Sequence, residues 1–117
     1  MKNKKSKIEI TVELDNNKIP EKIFWSATDA GIENSETKAT FLSVWDSSKK
    51  ESLRIDLWTK DMPLDEMRLF FYQILTSMSD TYKRATQDEK MSKICKKIGW
   101  GNLEVQKFLL KPIKVLN

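Results

Sequence analysis

Between Leu53 and Met67 the sequence changes period across a single proline, and that change narrows the possible folds more than any other feature. Leu53, Ile55 and Leu57 alternate with Arg54, Asp56 and Trp58, the period of two that gives a strand two unlike faces. The strand is expected to stop near Thr59. Pro63 then suits the first position of a helix, where its fixed φ is already helical and its missing N–H costs nothing. Asp65 and Glu66 follow in the first turn, where negative charge complements the helix dipole. Leu64, Met67, Phe71, Ile74, Leu75, Met78 and Tyr82 recur at steps of three and four, the stripe of an amphipathic helix. A helix over about 63–85 would be roughly 34 Å long at ~1.5 Å per residue, enough to cross a small sheet.

The segment before this corner, ATFLSVW, reads as a strand from about residue 37 or 38 to Trp45, with a turn over Asp46 to Glu51. If the turn centres on Ser48 and Lys49, Val44 faces Leu53, Leu42 faces Ile55 and Thr40 faces Leu57, so every aliphatic side chain falls on one side. A slip of one residue would mix the faces, which fixes the register. The other side then collects Ala39, Phe41, Ser43, Trp45, Arg54, Asp56 and Trp58. It is aromatic, with one acid and one base set into it.

Upstream, Ile8, Ile10, Val12 and Leu14 alternate with Glu9, Thr11 and Glu13 in a half-buried strand, and Asp15-Asn16-Asn17 is turn chemistry. A second strand is expected from Ile23 to Ala27 after Pro20. Its register stays open, because Ile23 and Trp25 compete with Phe24 for the core face. From Asp29 to about Glu36 the composition predicts a polar loop in which Gly31 supplies a positive φ. Beyond the long helix, Thr86-Gln87-Asp88-Glu89 has the spacing of a capping box. A shorter helix would follow with Met91, Ile94, Cys95 and Ile98 on one side, ending at Gly99-Trp100-Gly101. Leu103, Phe108 and Leu109 form a helical grouping before Pro112.

With 117 residues, 39% of them hydrophobic, the chain suits one small domain. MKNKKSK carries no apolar run, and no stretch approaches the ~20 apolar residues of a membrane span, so a cytoplasmic protein without membrane insertion is expected. The single cysteine, Cys95, and the absence of histidine exclude an internal disulfide and a Cys/His zinc site, and deprive any nucleophile of an imidazole base. The net charge of +4 is unevenly spread: residues 1–7 carry +4, residues 93–117 carry +5, and residues 8–92 carry −5. The body is acidic, which argues against nucleic acid, whose affinity for proteins comes largely from phosphate neutralisation.

Asp56, Asp61, Asp65 and Glu66 cluster in sequence but lack the ligand spacing of a calcium loop, and acids at a helix start have an ordinary electrostatic role. No catalytic, metal or cofactor residue is expected. Of the four tryptophans, Trp25, Trp45, Trp58 and Trp100, the hairpin register turns Trp45 and Trp58 away from the aliphatic side. Phe41, Trp45, Arg54, Asp56 and Trp58 thus form the candidate protein-interaction face, with the composition of an interface centre. The alternative is a single-stranded nucleic-acid-binding module, stacking bases on the same rings with help from the lysine-rich ends.

The strings SVWD (43–46), ESLRIDLWTKDMPLDEM (51–67) and SMSDTYKRATQDEKM (77–91), with ITVELD near the start, resemble the gliding motility-associated protein GldC family of the Bacteroidetes. The likeness covers about residues 8–92, and past Met91 the sequence departs from the family ending. It implies a small soluble protein that assists gliding and supplies no catalytic residues to carry over. The expected fold is α+β: a four-stranded, mainly antiparallel sheet with one long helix packed across one face and a shorter C-terminal helix. Residues 1–7 would be a basic disordered tail, 8–98 a single domain and 99–117 a divergent tail. The expected function is that of a non-catalytic accessory or assembly protein without cofactors, its partner being itself or a component of the gliding machinery.

Overall fold

A computed structural model of the chain describes residues 4–98. The chain divides into two compact units, Met1–Met62 and Pro63–Asn117. Among the described residues the first holds the strands and one short 3-10 turn, and the second holds the α-helices.

In the first unit, β1 (Ile8–Leu14) and β2 (Pro20–Ala27) form an antiparallel hairpin. Asp15 closes its turn, its Oδ1 accepting from the backbone N–H of Asn17 at 2.8 Å and of Ile19 at 3.0 Å. Val12 pairs with Ile23 and Ile10 with Trp25, so Ile23 and Trp25, not Phe24, share the face of the β1 aliphatics. Ile23 is completely buried there.

The expected polar loop after Asp29 is a correction. Thr28–Ala30 make one 3-10 turn, Gly31 reverses the chain at φ 70°, and β3 (Ile32–Thr37) pairs antiparallel with β2. Of its six residues, IENSET, only Ile32 is strongly apolar. As an edge strand β3 is held by backbone bonds to β2 and needs no alternating pattern, which is why composition pointed to a loop.

At Lys38 the chain leaves this sheet. β4 (Ala39–Asp46) and β5 (Glu51–Trp58) pair only with each other, so the single four-stranded sheet is replaced by a three-stranded sheet, β1-β2-β3, and a two-stranded one, β4-β5. The hairpin register is the expected one: Val44 opposite Leu53, Leu42 opposite Ile55, Thr40 opposite Leu57. Asp46 Oδ1 accepts from the N–H groups of Ser48 and Lys49 and shapes the turn. On the aliphatic side of the hairpin Leu42, Val44, Leu53 and Ile55 are between 42% and 56% exposed. Burial deepens toward the base, through half-buried Leu57 to buried Thr59.

In the second unit, α1 (Leu64–Thr86) begins one residue later than expected, with Pro63 as the extended N-cap and its carbonyl accepting from the Met67 N–H at 2.9 Å. Gln87 ends it in the left-handed region at φ 62°. A second helix, α2, covers residues 89–98. Thr86 is not its cap but the last residue of α1, its hydroxyl donating to the Tyr82 carbonyl at 2.8 Å and accepting from the Asp88 N–H at 3.2 Å. Asp88 is the cap: its Oδ1 accepts from the Met91 N–H at 3.0 Å, and its Oδ2 from the Tyr82 hydroxyl at 3.2 Å.

The two helices run antiparallel, joined where the Ser92 hydroxyl donates to the Ser79 carbonyl at 2.7 Å. Lys96 meets Asp80 at 2.8 Å and Lys83 meets Glu89 at 3.3 Å. The buried line of α1 accordingly runs through Tyr72 and Ser79, offset from the apolar stripe, which leaves Leu64, Phe71 and Met78 exposed. On α2, Ser92 is buried and Cys95 half-buried, while Met91, Ile94 and Ile98 are exposed. A serine hydroxyl reaching a neighbouring backbone requires close approach, which small side chains permit and an aliphatic seam would prevent. No helix among the described residues is long and apolar enough to cross a membrane. Trp100 and the grouping from Leu103 to Pro112 lie outside the described residues.

Candidate interaction face

Cross-strand pairing places all five sequence-predicted residues on one side of the β4-β5 hairpin, because partners directly opposite in an antiparallel pair share a face. From the turn toward the base the rows are Trp45 with Ser52, Ser43 with Arg54, Phe41 with Asp56, and Ala39 with Trp58. The two indoles are therefore not stacked on each other. Trp58 lies six steps along the strand from Ser52, which faces Trp45, roughly 20 Å at ~3.3 Å per residue. Trp45 is 64% and Trp58 52% exposed, whereas Phe41 is half-buried.

Between the rings lies a polar strip whose members satisfy one another. Arg54 Nη2 donates to Asp56 Oδ1 at 3.0 Å, with a longer Nε contact to Oδ2 at 3.5 Å, and Nη1 donates to the Ser43 hydroxyl at 2.6 Å. Positions 54 and 56 point the same way along a strand, and Ser43 sits directly across from Arg54, so the register itself creates this arrangement. A guanidinium spread over a carboxylate and a hydroxyl is held flat, and its charge is matched by Asp56. The face therefore offers no net positive charge for a phosphate backbone.

At the base of the hairpin Trp58, Leu57 and Asp56 line an open groove of about 260 Å³ with Ile19 and Pro20 from the β1-β2 turn. Ile19 and Pro20 were missed as site residues because their contribution depends on how two hairpins meet, which no local pattern records. The Lys60 N–H donates to the Pro20 carbonyl at 3.3 Å, and Lys60 Nζ lies 3.1 Å from Asp15 Oδ2 and 3.7 Å from Glu21 Oε1. Hydrogen bonding to the Ile19 N–H first, and to Lys60 next, holds the Asp15 carboxyl below its ordinary range.

A second lock closes the hairpin base. The Thr59 N–H donates to the Lys38 carbonyl at 2.8 Å, the Thr59 hydroxyl donates to Asp61 Oδ1 at 2.6 Å, and Lys38 Nζ meets Asp61 Oδ2 at 2.7 Å. The Lys38 hydrogen bond, supported by Thr59, lowers the Asp61 carboxyl from 3.8 to about 2. Asp56 and Asp61 thus belong to separate hydrogen-bond networks. Among the described residues no group of three or more acidic or cysteine side chains is placed to hold a metal ion.

Two small antiparallel sheets and a helical hairpin define an α+β protein whose most distinctive surface is this aromatic ribbon face. The chain belongs to the gliding motility-associated protein GldC-like family, whose profile matches residues 20–101. The match spans β2 through α2 and includes Phe41, Trp45, Arg54, Asp56 and Trp58, and it agrees with the resemblance drawn from IDLWTKDMP and its flanking strings. No curated protein and no solved structure matches the chain. Association with gliding motility holds at the level of the family.

Proposed function

We propose that the chain is a non-catalytic accessory or assembly protein of gliding motility that acts by docking the aromatic face of the β4-β5 hairpin onto a protein partner. The observation that carries this reading is the exposure of Trp45 and Trp58 on either side of the closed Arg54, Asp56 and Ser43 network. Exposed indoles beside an arginine are the side chains that dominate binding energy at protein interfaces. Catalysis would instead call for a general base and a nucleophile within reach of each other. Arg54 and Asp56, however, are already committed to one another.

The test replaces the gene in a gliding host by one encoding Trp45→Ala with Trp58→Ala. Gliding speed should fall while the purified variant keeps its melting temperature to within a few degrees, since half-exposed rings contribute little to folding. Wild-type gliding by the variant, or a collapse of its melting temperature, would overturn the reading.

A further inference from the structure

We infer that the apolar side of the α1-α2 hairpin is a self-association surface, and that its occupant is the same surface of a second copy of this chain. The inference concerns a face other than the aromatic ribbon and does not rest on the function proposed above.

Residues turn by about 100° per step around an α-helix. With Ser79 taken as the direction facing α2, Leu64, Phe71 and Met78 fall on one flank of α1 and Asp80 and Lys83 on the other. Because α2 runs antiparallel, Met91 and Ile98 come to the flank of Met78, and Glu89 and Lys96 to that of Asp80. The ion pairs Asp80 with Lys96 and Lys83 with Glu89 are formed, which verifies the assignment of the charged side. The two helices therefore make a thin layer with ion pairs on one side and continuous apolar surface on the other. Its tight seam is the contact of Ser79 with Ser92.

On the apolar side Leu64, Phe71, Met78, Met91 and Ile98 are between 43% and 67% exposed. Together they present roughly 500 Å² of apolar surface, near the upper end for a monomer, whose largest patch is ordinarily ~300–600 Å². A standard interface buries ~800 Å² per partner, of which ~57% is apolar, so the patch supplies the apolar share of one such interface. Leu64, Phe71 and Met78 are spaced by seven residues, the repeat along which helices pack against helices. A two-helix layer with one apolar side meets that need when a two-fold axis sets it against its own copy, giving a four-helix bundle.

Sedimentation equilibrium of the full chain, from micromolar to hundreds of micromolar, reads the outcome directly. The expected result is a dimer whose dissociation constant rises at least tenfold in Met78→Glu and in Ile98→Glu, and is unchanged in Ile55→Glu on the β4-β5 hairpin. Met78→Gln and Ile98→Gln, with helix content followed by circular dichroism, separate loss of association from loss of the helices. A monomer at every concentration would overturn the inference, as would a dimer dissolved by Ile55→Glu alone. A chain ending at residue 98 that dimerises where the full chain does not would assign the face to residues 99–117 and overturn it too.

Discussion

The Ser92 hydroxyl donates to the Ser79 backbone carbonyl at 2.7 Å, where both residues are almost completely buried. A side chain of α2 thus touches the backbone of α1, and the closeness depends on two small residues. Ser92→Ala should cost ~1 kcal/mol, the net worth of one hydrogen bond. Ser79→Leu should cost more, ~1–3 kcal/mol, by forcing the helices apart. Urea denaturation of both variants checks the order, which reverses if the bond matters more than the spacing.

Gln87 stops α1 with φ 62°, a conformation that penalises a side chain with a Cβ. Its backbone N–H still donates to the Lys83 carbonyl at 2.8 Å, so glycine would keep the bond and relieve the backbone. Gln87→Gly is expected to raise stability by ~0.5–1 kcal/mol, read as a higher urea midpoint at unchanged slope.

Ile23 and Ile55 have the same side chain and opposite surroundings, the first fully buried and the second 56% exposed. Ile23→Ala should cost ~2–5 kcal/mol, as truncations in a closed core do. Ile55→Ala should cost about 1 kcal/mol or less, because much of its surface never leaves water. Equal losses at the two sites would mean that the outer hairpin is covered in solution.

Asp61 carries the clearest pH dependence. Its carboxyl is lowered from 3.8 to about 2, first by Lys38 and then by Thr59, so on acidification the unfolded chain takes up this proton before the folded chain does. The stabilisation is complete above the unfolded value, shrinks as pH falls below it, and is gone once pH has passed the folded value. Asp80, lowered chiefly by Lys96, and Asp15 act in the same direction. In Asp61→Asn the melting temperature should fall less steeply between about pH 4 and about pH 2, checked by scanning fluorimetry. An unchanged slope would show that the Lys38 contact does not persist in solution.

The β4-β5 register was legible because two strands alternated in phase and only one pairing puts Leu42, Val44, Leu53 and Ile55 together. The same reasoning placed Phe41, Trp45, Arg54, Asp56 and Trp58 on one face. β3 was not legible: IENSET has almost no apolar content, and its order comes from hydrogen bonds to β2. Nor was the break between the sheets, since Lys38 turns the chain with neither glycine nor proline to mark the corner. At the end of α1 the capping-box spacing misled by two residues, because α1 itself runs on through Thr86 and the carboxylate of Asp88 takes the capping bond from the Met91 N–H. The groove beside Trp58 depends on Lys60 reaching Asp15 across 45 residues, beyond the range of any local pattern.

The bonds from Arg54 to Asp56 and Ser43 also bear on how fast and how tightly anything can settle on this ribbon. A free arginine that must be immobilised on docking forfeits ~0.5–1.5 kcal/mol of rotamer freedom at that moment. Here folding has already charged that loss, so an incoming surface meets a stiff plate with no long side chain left to arrest. Cutting the tether through Asp56→Ala would hand the penalty back at the encounter while leaving both indoles in place.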